Sequence, residues 1–143
     1  MVVQFEWGTE LYAKAVNLRD KILRKPLGMH FTQEQLEKEK DYFHIGLLDE
    51  NEKMISVLYL MPVDEKTIQL KQMAVDNDVQ KNGFGRLLVE YALIFSALKG
   101  FEQMILHARI EAVGFYEKLN FQIIGDKFLE IGIEHYKMIK KIK

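Results

Sequence analysis

The sequence predicts an α/β (α+β) fold: a mixed, mostly antiparallel, six- to seven-stranded sheet flanked by about four helices, in the order βααβββαβαββ. Three observations predict it. Residues 43–48 and 54–61 are apolar runs joined by a turn-forming stretch, Asp49 to Lys53, and so read as a hairpin. Residues 67–75, 84–98 and 103–108 read as strand, helix, strand, which together with the hairpins suggests a mixed sheet with helices on both faces. Two further apolar runs, 121–126 and 135–142, close the chain as strands.

Each element follows from local chemistry. Val2 to Trp7 is an apolar and aromatic strand ended by Gly8. Thr9 caps a helix running to about Leu23, with Leu11, Ala15, Leu18 and Ile22 on one face. Pro26 and Gly28 stop it. Thr32 and Gln35 have capping-box spacing, which starts a short polar helix from Gln33 to Asp41. Pro62 to Lys66 turns the chain into the fourth strand, Thr67 to Val75. Phe84, Leu87, Leu88, Tyr91, Phe95 and Leu98 recur at helical spacing, and Gly100 ends that helix. A short helix, Glu111 to Leu119, presents Ala112, Phe115, Tyr116 and Leu119 on one face. The last two strands are joined by a longer connection over residues 127–134.

Composition bounds the function. At 143 residues a single domain, 1–143, is expected, long enough for a real core. Twenty basic residues stand against 21 acidic ones, so no electrostatic footprint for nucleic acid exists. With 0 cysteines, disulfides, thiolate nucleophiles and cysteine zinc sites are excluded. His30 and His44 are too isolated for metal ligation, and no metal is expected. No apolar run reaches membrane-spanning length and no signal-peptide pattern opens the chain, so the expectation is a cytoplasmic protein without membrane contact. Lys137, Lys140, Lys141 and Lys143 read as a solvated tail, and Met54, Met61, Met73 and Met104 as core packing.

The stretch IQLKQMAVDNDVQKNGFGRLLVEYALIFSAL, residues 68–98, carries the chemistry. A loop holding Gly83 and Gly85 runs into a helix start. Small residues let backbone approach a ligand, and unpaired amides of a first helical turn attract anions. By itself such a loop serves a nucleotide, a dinucleotide or another phosphate. It follows the fourth strand of a hairpin-led chain rather than the first strand, which sets it apart from a dinucleotide-binding unit.

Two segments then carry a resemblance that covers essentially the whole chain. MAVDNDVQKNGFGRLLVEYA has an Ala-Val strand end followed by Gln80, Gly83 and Gly85 in Gln/Arg-x-x-Gly-x-Gly/Ala spacing. HARIEAVGFYEKLNFQIIG has Phe115 and Tyr116 ahead of Phe121, with Asn120 where a glycine is usual. The chain resembles the GNAT superfamily of acetyl-CoA-dependent N-acetyltransferases, and the sheet expected is therefore GNAT-type. LRDKILRKPLGM and FLEIGIEHYKM are similar to the ElaA-like branch, which usually has Pro where this chain has Glu134.

The resemblance implies direct transfer of an acetyl group from acetyl-CoA, as cosubstrate, to a primary amine of a small molecule or peptide. It implies that the amides of Gln80, Lys81, Asn82, Gly83, Phe84, Gly85 and Arg86 hold the pyrophosphate. Met73, Ala74 and Val75 would pair with the pantetheine arm, and Ala112 and Phe115 would complete the cofactor site. Tyr116 matches the tyrosine that protonates the departing thiolate. In some family members a fourth-strand glutamate acts as base, but Gln69 to Gln72 holds no carboxylate. His107, Glu130 and His135 are the remaining candidate bases, and an acceptor that deprotonates in bulk solvent needs none. The partners implied are acetyl-CoA and an amine acceptor, with a homodimer as the open assembly. Read without the resemblance, Tyr116 is a packed core tyrosine and His107 and His135 are ordinary strand histidines. The alternative function is an acyl-CoA-binding sensor domain that has lost catalysis.

Overall fold

The computed structural model describes residues 1–80 and 82–142. Lys81 and Lys143, both named above, lie outside the described residues. Among the described residues seven strands form one mixed sheet in the order β1-β2-β3-β4-β5-β7-β6. They are β1 (Val2–Phe5), β2 (Phe43–Leu48), β3 (Met54–Pro62), β4 (Thr67–Val75), β5 (Gln103–Arg109), β6 (Gln122–Glu130) and β7 (Ile133–Lys141). The helices are α1 (Glu10–Arg19), α2 (Gln33–Glu37), α3 (Phe84–Leu98) and α4 (Val113–Glu117). Close contacts divide the chain into two compact units, Met1–Met61 with Gln72–Ala92, and Pro62–Lys71 with Leu93–Lys143.

In the first unit β1 pairs antiparallel with β2, and β2 with β3. Ala15 and Leu18 of α1 pack with Leu48, Met54, Val57 and Ala74 as a buried cluster. Thr9 accepts a hydrogen bond from the Tyr12 amide at the start of α1. The helix ends earlier than its apolar spacing predicts, at Arg19. Residues Asp20–Arg24 widen into a π-helical turn, closed by a hydrogen bond from the Lys25 amide to the Asp20 carbonyl. A 3-10 turn, Lys25–Leu27, then ends on Gly28 at φ 68. At α2 both capping-box hydrogen bonds of Thr32 and Gln35 are present, but the helix stops at Glu37 rather than Asp41. The carboxylate of Glu39, just beyond it, is drawn inward. It accepts two hydrogen bonds from the Arg19 guanidinium, both 2.7 Å, and one from the Tyr12 hydroxyl at 2.8 Å.

In the second unit β4 and β5 pair in parallel from Thr67–Gln103 to Leu70–Leu106. β5 pairs antiparallel with β7 from Gln103–Lys141 to Arg109–His135, and β7 with β6. The connection over 127–134 is a correction: β6 and β7 extend through it and meet in a tight hairpin. Ile131 (φ 47) and Gly132 (φ 75) both take left-handed backbone, as a two-residue type I′ turn requires. The usual signal there is Asn-Gly, and a β-branched residue in its place hid the turn from sequence reading. Lys137, Lys140 and Lys141 accordingly lie in a paired strand rather than in a tail. On α3 the buried positions are Gly85, Leu88, Val89, Ala92 and Ser96. Leu87 and Leu98, which also recur at helical spacing, are exposed.

Candidate active site

The glycine loop is built by short hydrogen bonds within the first unit. Gln72, inside β4, holds φ 53, a backbone rare for a non-glycine residue. At the strand end the Asp76 amide donates to the Ile55 carbonyl at 2.8 Å. Its carboxylate accepts from the Asp78 amide at 3.1 Å and caps a 3-10 turn, Asn77–Val79. Lys21 and Lys53 approach the same carboxylate at 3.3 and 3.5 Å. The amide hydrogen bond, reinforced by the lysines, holds the Asp76 carboxyl below the usual carboxylate range.

Gln80 turns inward. Its side-chain amide donates to the Val75 carbonyl at 3.0 Å and to Asn77 Oδ1 at 3.2 Å. Gly83 then takes φ 80, and a Cβ built there meets nothing within 4 Å. Backbone conformation, not crowding, requires the glycine, and the approach to the loop is open. The Leu87 amide donates to the Gly83 carbonyl at 3.0 Å. The amides of Phe84, Gly85 and Arg86 stand in the first turn of α3, where a helix start offers donors to an anion. The Arg86 guanidinium pairs with Glu90 at 2.9 Å along the helix surface. Met73 and Val75 are half-buried, whereas Ala74 faces the core.

In the second unit a 3-10 turn, Ile110–Ala112, leads into α4. Tyr116 is 6% exposed. Its ring meets Phe115 and Phe121 edge-on, at centroid distances of 5.0 and 5.7 Å. Burial alone pushes its phenol well above the ordinary tyrosine value, so the hydroxyl carries its proton throughout the neutral range. Phe115 is partly exposed.

The three remaining candidates, unrelated in sequence, come together. His107 Nδ1 lies 3.0 Å from Glu130 Oε1, and His135 Nε2 lies 3.6 Å from Glu130 Oε2. Phe128 stands between the imidazoles, edge-on to His107 at 5.0 Å and stacked on His135 at 5.8 Å. Cross-strand pairing does this: β7 sets His135 opposite Arg109 on one side and Phe128 on the other. His107 and Glu130 remain partly open to solvent, while the His135 side chain is buried. Among the described residues no group of three or more His, Asp or Glu side chains is arranged to hold a metal ion. No helix among them is long and apolar enough to cross a membrane.

Sequence reading missed the buried network around Arg19 and Glu39. His44 belongs to it: Nε2 donates to the Glu39 carbonyl at 2.9 Å, and the ring contacts Phe5, Tyr12 and Tyr59. One signal was present. Tyr12, Ala15 and Arg19 share the inner face of α1 at helical spacing, so a charge stood at a core position.

The model of the acetyltransferase (GNAT) domain matches residues 20–142. The chain belongs to the GNAT acetyltransferase family. It is 33% identical over 100 residues to the UPF0039 protein C11D3.02c of Schizosaccharomyces pombe, an alignment covering 66% of this chain and 65% of that protein. Among the curated relatives it matches, the alignments span between 37% and 65% of the relative's own length. A solved aminoglycoside 6'-N-acetyltransferase complexed with coenzyme A superposes with a TM-score of 0.83 at 16% identity, covering 100% of this chain and 97% of that one. A GNAT family acetyltransferase from Elizabethkingia anophelis with acetyl-CoA bound gives a TM-score of 0.74 at 18% identity, covering 99% and 97%. At these identities the structural likeness speaks to the fold.

Proposed function

We propose that this chain is a cytoplasmic N-acetyltransferase of the ElaA-like branch, one domain over residues 1–143, that moves an acetyl group from acetyl-CoA directly to a primary amine of a small molecule or peptide. The observation that carries the reading is the Gln80–Arg86 loop. Gly83 holds φ 80, and the helix-start amides behind it suit a pyrophosphate. Cofactor-bound relatives of the same fold support the choice of coenzyme A among phosphates.

The roles follow. Amides of the loop hold the pyrophosphate, the β4 backbone at Met73, Ala74 and Val75 pairs with the pantetheine amides, and Ala112 and Phe115 line the cofactor. Tyr116 donates a hydrogen bond to the departing sulfur. Deprotonation of the acceptor falls to the His107, Glu130 and His135 group, since β4 offers Gln69 and Gln72 where a carboxylate would serve. No metal takes part, and a homodimer is the assembly to look for by light scattering.

The test mixes the purified chain with acetyl-CoA and a panel of primary amines (tyramine, spermidine, an aminoglycoside, a tripeptide) and follows thiol release. Amine-dependent release is expected. Tight acetyl-CoA binding by calorimetry with no release on any amine would overturn transfer. It would favour the second reading, an acyl-CoA sensor, which the missing β4 carboxylate motivates.

A further inference from the structure

We propose that His107 is the general base of the transfer, working through Nε2, and that Glu130 and His135 are positioning residues that fix its tautomer; this rests on the acetyltransferase reading above. The assignment follows from hydrogen-bond chemistry. A carboxylate only accepts, so the 3.0 Å contact with Glu130 Oε1 requires the proton of His107 to sit on Nδ1. Nε2 then carries the lone pair. The Phe128 ring packs nearly perpendicular to the imidazole, with centroids 5.0 Å apart. A histidine held by a carboxylate at one nitrogen and basic at the other is poised to take a proton from a neighbouring ammonium.

His135 is assigned in the same way. Its Nδ1 lies 2.8 Å from the Ile133 carbonyl, which only accepts, so Nδ1 carries hydrogen there too. Nε2 faces the second oxygen of Glu130 at 3.6 Å. Both imidazoles thus face one carboxylate, His107 within hydrogen-bond distance and His135 just beyond it. Other charged groups on this part of the sheet include Lys137, the β7 partner of His107, Arg109, the β5 partner of His135, and the Lys127–Glu134 pair of the β6–β7 hairpin.

The step balances. The acceptor arrives as R–NH3+, and Nε2 takes one proton to leave R–NH2. The amine lone pair forms the N–C bond while the C–S bond of acetyl-CoA breaks. The nitrogen loses its second proton and the thiolate gains one. The sum is R–NH–COCH3, free thiol and one proton, which leaves to solvent from the partly exposed His107.

The experiment measures kcat/KM against pH for the full chain on tyramine, spermidine and a tripeptide, with acetyl-CoA saturating. His107→Gln should lose about 10²-fold or more at pH 7. Its rate should climb with pH toward that of the wild type, because the bulk supply of neutral amine then replaces the base. Glu130→Gln should lose roughly tenfold at pH 7, since a carboxamide, which presents N–H as well as an oxygen, no longer fixes the His107 proton on Nδ1. Glu130→Asp should recover part of the rate. Glu134→Gln, which breaks only the exposed pair with Lys127, should match the wild type. Acetyl-CoA affinity should stay constant throughout. Loss of rate in His107→Gln with an unaltered pH profile would overturn the base role, as would an unchanged Glu130→Gln. A wild-type chain that turns over none of the amines fails the transferase reading itself, a distinct result.

Discussion

At Tyr116 burial and chemistry pull in opposite directions. A leaving thiolate has a reference pKa near about 8.5, well below a phenol at about 10, and burial pushes this phenol higher still. Under the proposed transfer, full proton donation to sulfur would therefore be uphill from Tyr116, and the hydroxyl would act as a hydrogen-bond donor that stabilises the charge developing on sulfur. Tyr116→Phe keeps the ring packed against Phe115 and Phe121. It should lower kcat by about 10²-fold while leaving acetyl-CoA binding intact, as read by thiol release and calorimetry. Unchanged kcat would return Tyr116 to a packing role. His44 carries a prediction of another kind. Burial lowers its pKa, despite the opposing effect of its hydrogen bond to the Glu39 carbonyl. Below the unfolded imidazole value of about 6.5, the unfolded chain binds a proton that the folded chain refuses. Stability should thus fall as pH drops from about 6.5 toward the lowered folded value, with no contribution from His44 above that window. His44→Gln keeps an amide able to donate to Glu39, so its melting temperature should decline less between pH 7 and pH 5. Parallel declines in the two proteins would assign the slope to other groups.

At the scale of elements, two devices shape the parts that sequence reading found hardest. The β6–β7 hairpin turns on Ile131 at φ 47, a left-handed conformation that costs an ordinary L-residue about 1–2 kcal/mol. Ile131 is 41% exposed, so burial offsets that cost only in part. Ile131→Asn supplies the residue this turn prefers and should stabilise the chain by about 1 kcal/mol, measured as a raised denaturant midpoint at unchanged slope. A lowered midpoint would show that the isoleucine side chain packs to advantage. The second device joins α1 to the segment after α2. Arg19 and Glu39 are 1% and 4% exposed and meet in a bidentate pair, with the guanidinium over the Phe31 ring at 4.6 Å. Glu39→Gln leaves a buried cation without its counter-charge and should cost about 3–5 kcal/mol. Arg19→Met combined with Glu39→Gln should recover part of that loss, because two neutral groups replace an orphaned charge. If the double variant is the less stable one, the pair contributes through packing rather than charge balance.

At the scale of the whole molecule, what the sequence made legible depended on how local each determinant is. β2, β4 and α3 begin and end where apolar runs, turn residues and Gly100 place them. The capping box at Thr32 and Gln35 forms as its spacing predicts. The convergence of His107, Glu130 and His135 was beyond sequence reading, because strand register creates it: residues 23 apart meet only after β5, β7 and β6 have paired. For Arg19 and Glu39, 20 residues apart, helical spacing marks only the buried charge on α1, and its partner is silent in one dimension. The glycine loop is the opposite case, a local device whose geometry follows from Gln80, Gly83 and the start of α3, and it carries the last prediction. A ligand that binds only the folded chain stabilises it by about 2.7 kcal/mol at a hundredfold excess over its dissociation constant. For a chain of this size that is a rise of roughly 8 °C in melting temperature. Acetyl-CoA should produce it. Acetyl-pantetheine, which shares the thioester but lacks the pyrophosphate, should give a much smaller rise if the loop amides supply the main anchor. Gly83→Val should blunt the response to acetyl-CoA, since a β-branched residue resists φ 80 although its side chain meets nothing there. Equal shifts with the two thioesters would move the anchor from the loop to the pantetheine arm, and no shift with either would remove coenzyme A from the account of this fold.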